Sequence, residues 1–321
     1  MLTKAHAMLS HAAHSLANLS AADFSPFAVL AFFVFLFALE ALCGYRKVPP
    51  KTTRQSYLTN LGTFLLNDTL MSVSSLLLLA QHYGRFGLLR FIPDPVLKTV
   101  ASFVLFDLVL YLWHRANHSF DGLWMFHKVH HSDPTMNVTT AFRLHFVEVV
   151  FTTVIKAAFV LVTGVEAAVL LANEALITLL VMFHHANLNF KGERLLGGLI
   201  VVPSLHRLHH STLRQEHDSN YGAAFSFWDR LFGSFAEKEP KTIGLEAVPG
   251  LGVLQLMRYG LICEWAAPEQ PVEAAAASPQ FLERMIAEAA YYRAEKRGFA
   301  PGDDRLDWLE AEKEIRSRLN Q

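Results

Sequence analysis

The chain has 321 residues, of which 52% are hydrophobic and only 18% are charged. Ordinary soluble domains have about 45–50% apolar and about 25% charged residues, so this composition indicates a membrane protein. A net charge of -1 and the lack of a dense Lys/Arg run argue against a nucleic-acid partner. The two cysteines, Cys43 and Cys263, lie far apart, which excludes a CxxC redox pair and a thiolate metal site.

Three apolar stretches in the first third of the chain predict membrane-spanning helices. The first runs from Pro26 to Gly44, contains Glu40 as its one charge, and ends in the interfacial run Tyr45-Arg46-Lys47. It lacks the basic start and the cleavage site of a signal peptide, so we interpret it as a lasting span. The second covers about residues 61–80, and the third covers residues 96–113.

A fourth and a fifth span are predicted in the long apolar segment 146–183. This segment is too long for one crossing, and Thr163-Gly164 supplies a turn signal near its middle. In the resulting antiparallel hairpin, Lys156 and Glu174 lie at similar depth. Two explanations fit them equally well: each neutralises the other inside the bilayer, or both face water in a cavity.

Basic residues after the first span set the expected orientation. Arg46, Lys47, Lys51 and Arg54 place that loop in the cytoplasm by the positive-inside tendency. Five alternating spans then bring every histidine cluster to the cytoplasmic face.

Composition divides the chain into four predicted regions. These are an N-terminal segment 1–25, a membrane domain 26–236, a linker region 237–279 and a small helical C-terminal domain 280–321. The run 286–302, followed by Asp307-Trp308, resembles a short appended domain of unknown function found in bacterial proteins. This resemblance implies a bacterial source. The expected location is therefore a bacterial inner membrane, with the histidine clusters and the C-terminus in the cytoplasm.

Histidine is the unusual residue of this chain, with 16 copies that are mostly clustered. One H-x-x-x-H pair, two H-x-x-H-H boxes and a single histidine at the end of the hairpin supply nine imidazoles. Offsets of three and four residues place such rings on one helix face. Nine imidazoles are too many for one metal ion, whereas two ions with about four nitrogens each could use them, and the ligand type leaves zinc, copper, iron and nickel open. The nine are His114, His118, His127, His130, His131, His185, His206, His209 and His210.

Scattered histidines have a simpler interpretation as amphipathic residues at a membrane interface. We apply it to His6, His11, His14 and His82, each of which stands outside the boxes.

The histidine pattern resembles the fatty acid hydroxylase/sterol desaturase superfamily over roughly residues 30–236. Further signatures support the resemblance: Asp107 to Arg115, His130-His131-Ser132 with Asn137, Thr140 and Arg143, Asn220-Tyr221-Gly222, and Trp228 to Gly233. It implies an all-α, integral-membrane helical bundle with a cytoplasmic histidine-rich cap. It also implies two iron ions, replaceable by zinc in isolated protein, that are held by the eight box histidines and, with less weight, His185.

The same resemblance implies an oxidoreductase that uses O2 to hydroxylate or desaturate a lipid, or to cleave an ether lipid. A sterol, fatty acyl chain, hopanoid, carotenoid or alkylglycerol entering from the bilayer would suit such a site. An external reductase or ferredoxin must supply electrons, because the chain has no G-x-G-x-x-G and no cysteine cluster. A membrane zinc or iron carrier and a metal-dependent lipid hydrolase are the alternatives, although H-E-x-x-H is absent.

Several further residues have two interpretations. His145 and His184 are either ligands or hydrogen-bond partners of ligands. Asp107 and Tyr111 share a helix stripe with His114, so they either line the approach to the site or are buried against another span. Asp218 and Asp229 are candidates for orienting an imidazole, while Asn220 either folds over the site or forms a turn.

Overall fold

The computed structural model describes residues 21–75, 87–245, 248, 250–262, 283, 286–287, 289–291, 293–294, 297 and 303–319. The interpretations made for His6, His11, His14 and His82, and for residues 263–279 of the linker, lie outside these ranges. The chain divides into two compact units, Met1–Cys263 and Glu264–Gln321. Over the described residues the fold is all-helical, as predicted.

The first unit contains long apolar helices followed by short ones. Two 3-10 turns, Leu88–Phe91 and Val138–Phe142, lie between them. The helices are α1 Ala21–Cys43, α2 Pro50–Ser75, α3 Pro95–Ser119, α4 Asp121–His131, α5 Phe146–Thr163, α6 Ala167–His185, α7 Glu193–Leu196, α8 Pro203–His209, α9 Arg214–His217, α10 Phe227–Leu231 and α11 Val253–Tyr259.

Three of the described helices, α3, α5 and α6, are long and apolar enough to cross a membrane. They correspond to the predicted third, fourth and fifth spans. Large apolar side chains such as Val100, Val154 and Leu171 stay exposed on them, as expected for a surface that faces lipid. The turn between α5 and α6 is also confirmed, because Gly164 ends α5 in the left-handed conformation at φ 66°.

The predicted first and second spans differ from this pattern. The apolar part of α1, Phe27–Cys43, is shorter than the three candidate spans. Helix α2 begins at Pro50, well before the predicted start, and its first half is polar because it binds loops: Ser56 donates to Asp133, and Gln55 to the Gly250 carbonyl. Five spans, and the orientation inferred from them, therefore remain predictions.

Apolar packing joins α3, α5 and α6 into one bundle. Phe106 of α3 lies 5.1 Å, centroid to centroid, from Phe159 of α5, and Leu170 and Ile177 of α6 belong to the same buried cluster. Between helices that face lipid, such contacts stabilise the bundle by van der Waals packing and not by removal of apolar surface from water. The bundle thus fixes the ends of α3 and α6, where several histidines lie.

A buried polar network fixes the loop after α4. The Asp133 carboxylate accepts hydrogen bonds from Ser56, Asn60 and Thr140. Arg143 is buried beside it and holds the pKa of Asp133 below its usual value, although burial alone would raise that pKa. Arg143 also donates to the Val129 carbonyl near the end of α4. Thr140 and Arg143, which belong to the motifs that resemble the family, therefore help to position α4.

In the second unit, helix α12 spans Asp304–Leu319. Ile286, Ala311 and Ile315 form a small buried cluster, and Arg293 pairs with Glu310 and Glu314. The described part of this unit is helical, in agreement with the predicted small helical module.

Candidate metal centre

The nine histidines singled out in the sequence converge in two neighbouring groups. Helices α3, α4, α6 and α8 supply them, and within each group one nitrogen from every ring lies within 4.8 Å of the others. All nine are buried except His114, which is half-buried. The first group is His114, His118, His127, His131 and His209; the second is His130, His185, His206 and His210.

Each H-x-x-H-H box contributes to both groups. In α4, His127 and His131 enter the first group and His130 enters the second. At the end of α8 the division is reversed, because His206 and His210 enter the second group and His209 the first. Residues four apart share a helix face, and the residue between them points toward the other group. The two groups are therefore built side by side by the same helices.

Hydrogen bonds at Nδ1 fix the tautomer of most rings in the first group. His114 Nδ1 lies 2.8 Å from the Tyr221 carbonyl oxygen, and His127 Nδ1 lies 2.8 Å from Glu148 Oε1. A neutral imidazole that donates from Nδ1 has only a lone pair at Nε2. The Nε2 atoms of His114 and His127 nevertheless lie 3.1 Å apart. Two lone pairs at that distance repel unless a cation lies between them.

The same arrangement holds for two more rings of the first group and for one ring of the second. His118 and His209 direct Nδ1 at Asp218 and at the Ser219 carbonyl, and their buried Nε2 atoms have no hydrogen-bond partner. In the second group His185 Nδ1 faces the Val181 carbonyl, while its Nε2 lies 3.1 Å from His130 Nε2 and 3.0 Å from His206 Nε2. Nitrogens bound at about 2.0–2.1 Å to one ion have such separations. The residues present therefore fit metal ions.

Burial keeps these rings in the state that binds metal. It lowers the pKa of His131, His206 and His210 well below the ordinary value, and neighbouring histidines lower each pKa further. A neutral imidazole is the ligand that metal ions require. Taking a charged ring out of water costs more than taking a neutral one, so the folded chain favours neutral rings at physiological pH.

A cavity of about 240 Å³ adjoins both groups and extends between α3, α5 and α6. Its histidine end includes His114, His130 and His206, and its walls include Phe106, Leu110 and Ile177. An apolar cavity that begins at a polar cluster suits an amphiphilic ligand.

Comparisons with known proteins agree with this geometry. Residues 99–234, which hold all nine histidines, match the family model described as fatty acid hydroxylase. This match places that part of the chain in the fatty acid hydroxylase superfamily. Residues 282–317 match a family described as a protein of unknown function (DUF2934). No solved structure matches.

Curated relatives of this fatty acid hydroxylase domain carry the names of lipid enzymes. Ornithine lipid hydroxylase OlsE of Rhizobium tropici is 28% identical over 182 residues, covering 56% of this chain and 53% of the relative. Alkylglycerol monooxygenase of Xenopus tropicalis is 34% identical over 149 residues, covering 45% and 32%. The Homo sapiens alkylglycerol monooxygenase is 28% identical over 227 residues, covering 67% and 48%. The chain thus spans about half or less of the length of these relatives.

Asp107 and Tyr111 of the fatty acid hydroxylase domain do not line the cavity. Asp107 is buried and accepts hydrogen bonds from the backbone of Ala224 and Phe225 and from the Trp228 indole. The Tyr111 hydroxyl lies 2.8 Å from Ser234 Oγ. Both residues are therefore buried polar residues that do not line the approach to the site. They are buried against the loop after the last histidine box and not against another span.

The carboxylates after the last box have different partners. Asp218 Oδ1 lies 3.1 Å from His118 Nδ1, the orienting contact expected for it. Asp229 contacts no imidazole and instead accepts from the backbone N–H groups of Tyr221 and Gly222. Asn220 forms a turn in the left-handed region at φ 55° and bonds to Leu205 and Ala236. Asp229 and Asn220 thus shape the loop that supplies the Tyr221 carbonyl to His114.

His145 and His184 also differ from each other. His145 caps α5, because its Nδ1 accepts from the Val147 N–H and its Nε2 lies 3.0 Å from the Met257 carbonyl. Both nitrogens are therefore used, and a ligand role for His145 does not fit. The His184 ring lies 4.0 Å from the His206 ring, centroid to centroid, and lines the cavity with a partnerless Nδ1.

Two residues of the site were missed in the sequence. Glu148 lies in an apolar helix, where its spacing from His127 carries no signal. His217 stands alone after the last box, yet it stacks on Trp124 at 5.1 Å and groups with His118 and Asp218. Its place three residues before Asn220-Tyr221 was the available hint.

Proposed function

We propose that this chain is a membrane-bound, non-haem di-iron oxygenase that inserts oxygen into a lipid. The observation that supports it most strongly is the pair of Nε2 lone pairs of His114 and His127, which face each other at 3.1 Å within a group of five rings beside a group of four. The nine grouped histidines would hold two iron ions. Bound iron would supply the redox chemistry by which O2, reduced with external electrons, can oxidise an unactivated C–H bond.

The chain's own residues would position both metal and substrate. Glu148 and Asp218 would hold His127 and His118 in their tautomers, and the Tyr221 carbonyl would hold His114. Apolar walls at Phe106 and Ile177 would exclude water from the reacting carbon. Hydroxylation consumes one O2, two electrons and two protons, and yields the alcohol and one water. The electrons would come from an external reductase or ferredoxin.

Lipid substrates are supported by the names of the relatives, ornithine lipid hydroxylase and alkylglycerol monooxygenase. The three candidate spans support a membrane location. We also propose that the membrane is a bacterial inner membrane and that the histidine groups face the cytoplasm, on the basis of Arg46, Lys47, Lys51 and Arg54.

Comparative lipidomics under isotopically labelled dioxygen tests this function. A strain lacking the gene is complemented with the wild-type chain or with the double variant His206→Ala/His209→Ala. We expect one lipid to gain a labelled oxygen only with the wild type, which would also purify with iron. A lipid that loses two hydrogens instead would indicate desaturation. Metal uptake into vesicles without any lipid change would contradict the proposal and favour a carrier.

A further inference from the structure

An ion pair within the spans lines the cavity far from the histidines. Lys156 Nζ of α5 lies 3.2 Å from Glu174 Oε1 of α6, and each side chain is 33% exposed. Both residues line the same cavity as His114 and His206. The pairing that the first explanation requires and the cavity that the second requires are thus both present. Ionisable groups inside membrane spans are costly and are typically functional.

The position of the pair gives a distance from the metal centre. Eight residues separate Lys156 from Glu148, which contacts His127; this is about 12 Å along α5. Eleven residues separate Glu174 from His185, which is about 16 Å along α6. Apolar side chains such as Leu110 and Ile177 line the same cavity. A ligand that reaches both ends is therefore long, apolar in its middle and polar at its far end.

We propose that Lys156 and Glu174 form a subsite for an uncharged hydroxyl group of the lipid substrate. A hydroxyl can donate to the carboxylate and accept from the ammonium at once, so it leaves the pair intact. A carboxylate or an ammonium can satisfy only one partner, and it leaves the other charge uncompensated in a medium of low dielectric constant. This inference rests on the proposed function. It narrows the substrate to a lipid alcohol whose hydroxyl lies roughly 12–16 Å from the carbon that is oxidised.

Binding of three probes of equal chain length to the full-length protein in lipid nanodiscs tests the subsite. The probes are a primary long-chain alkanol, the matching alkanoate and the matching alkylammonium, and native mass spectrometry measures their binding. We expect the wild type to bind the alkanol at least about tenfold more tightly than either ion. Equal binding of an ion and the alkanol would overturn the proposal.

Charge variants provide a readout that a purely structural ion pair would not change. Glu174→Gln leaves Lys156 unpaired, so the preference should move to the alkanoate. Lys156→Gln should move it to the alkylammonium. The exchanged pair Lys156→Glu/Glu174→Lys should restore the preference for the alkanol. Glu166→Gln, at an exposed carboxylate with no capping hydrogen bond at the start of α6, is the matched control and should bind as the wild type does.

Metal content per chain reports whether each variant keeps its fold. If a single variant fails to retain metal, the exchanged pair decides: an alkanol preference supports the subsite, and its loss overturns it. Binding requires no turnover, so the two proposals fail separately. Probe discrimination without lipid oxidation would count against the oxygenase alone. Lipid oxidation with no discrimination among the probes would count against the subsite alone.

Discussion

Removing the Glu148 carboxylate should weaken metal binding although Glu148 is no ligand. Glu148 Oε1 accepts from His127 Nδ1 at 2.8 Å, and this contact leaves the Nε2 lone pair of His127 facing His114. Loss of such a partner typically costs 10–100-fold in metal affinity, about 1.4–2.7 kcal/mol. Because Glu148 is only 5% exposed, bulk solvent does not compensate fully for its loss, and we expect Glu148→Ala to lie within that range.

Chelator competition on the purified, iron-loaded chain measures the effect. Glu148→Gln retains a neutral acceptor for His127, so its loss of affinity should be smaller than that of Glu148→Ala. Glu166→Gln, which removes an exposed carboxylate from the neighbouring helix, should leave the affinity unchanged. Wild-type metal affinity in Glu148→Ala would refute the idea that this carboxylate fixes the ring.

Three further predictions follow from the arrangement of the groups. His209→Ala and His206→Ala each remove a ring from a different group, so each variant should retain about one metal per chain against about two in the wild type, as measured by elemental analysis. Asp107→Asn should destabilise the fold by about 3 kcal/mol, because it replaces an acceptor of three buried N–H donors; thermal unfolding checks this. Burial lowers the pKa of His130, His131, His206 and His209, so the unfolded chain binds more protons than the folded chain below about pH 6.5. The melting temperature of the metal-free chain should therefore fall between about pH 7 and about pH 5, and a constant or rising value would contradict this.

Much of the fold could be predicted from local patterns. The hairpin of α5 and α6 was predicted from an apolar run broken by Thr163-Gly164, and the structure ends α5 at Thr163. The similar depth of Lys156 and Glu174 followed from the same hairpin. The early start of α2 was missed, because hydropathy detects apolar stretches and Ser56 and Asn60 are polar residues buried by hydrogen bonds to Asp133.

The sequence identified which histidines form the candidate site but not how they are arranged in space. Spacing identified the nine histidines, since offsets of three and four residues are local. The division of each box between two groups depends on how α4 and α8 are oriented toward each other, which no local spacing determines. Glu148 was missed for the same reason, because its role appears only when α5 packs beside α4.

The carboxylates of this domain act on the site through the histidines and the loops. Glu148 and Asp218 bind imidazole Nδ1 atoms, whereas Asp107 and Asp229 bind backbone N–H groups of the loop 221–225. That loop supplies the carbonyl that fixes His114. The group of five and the group of four consist of histidine rings alone, so each metal would meet neutral nitrogen donors and its charge would remain uncompensated by protein ligands. Negative charge that develops at such a centre should therefore be stabilised more than at a site rich in carboxylates. Stabilisation of negative charge is the electrostatic property that an oxygen-reducing centre requires.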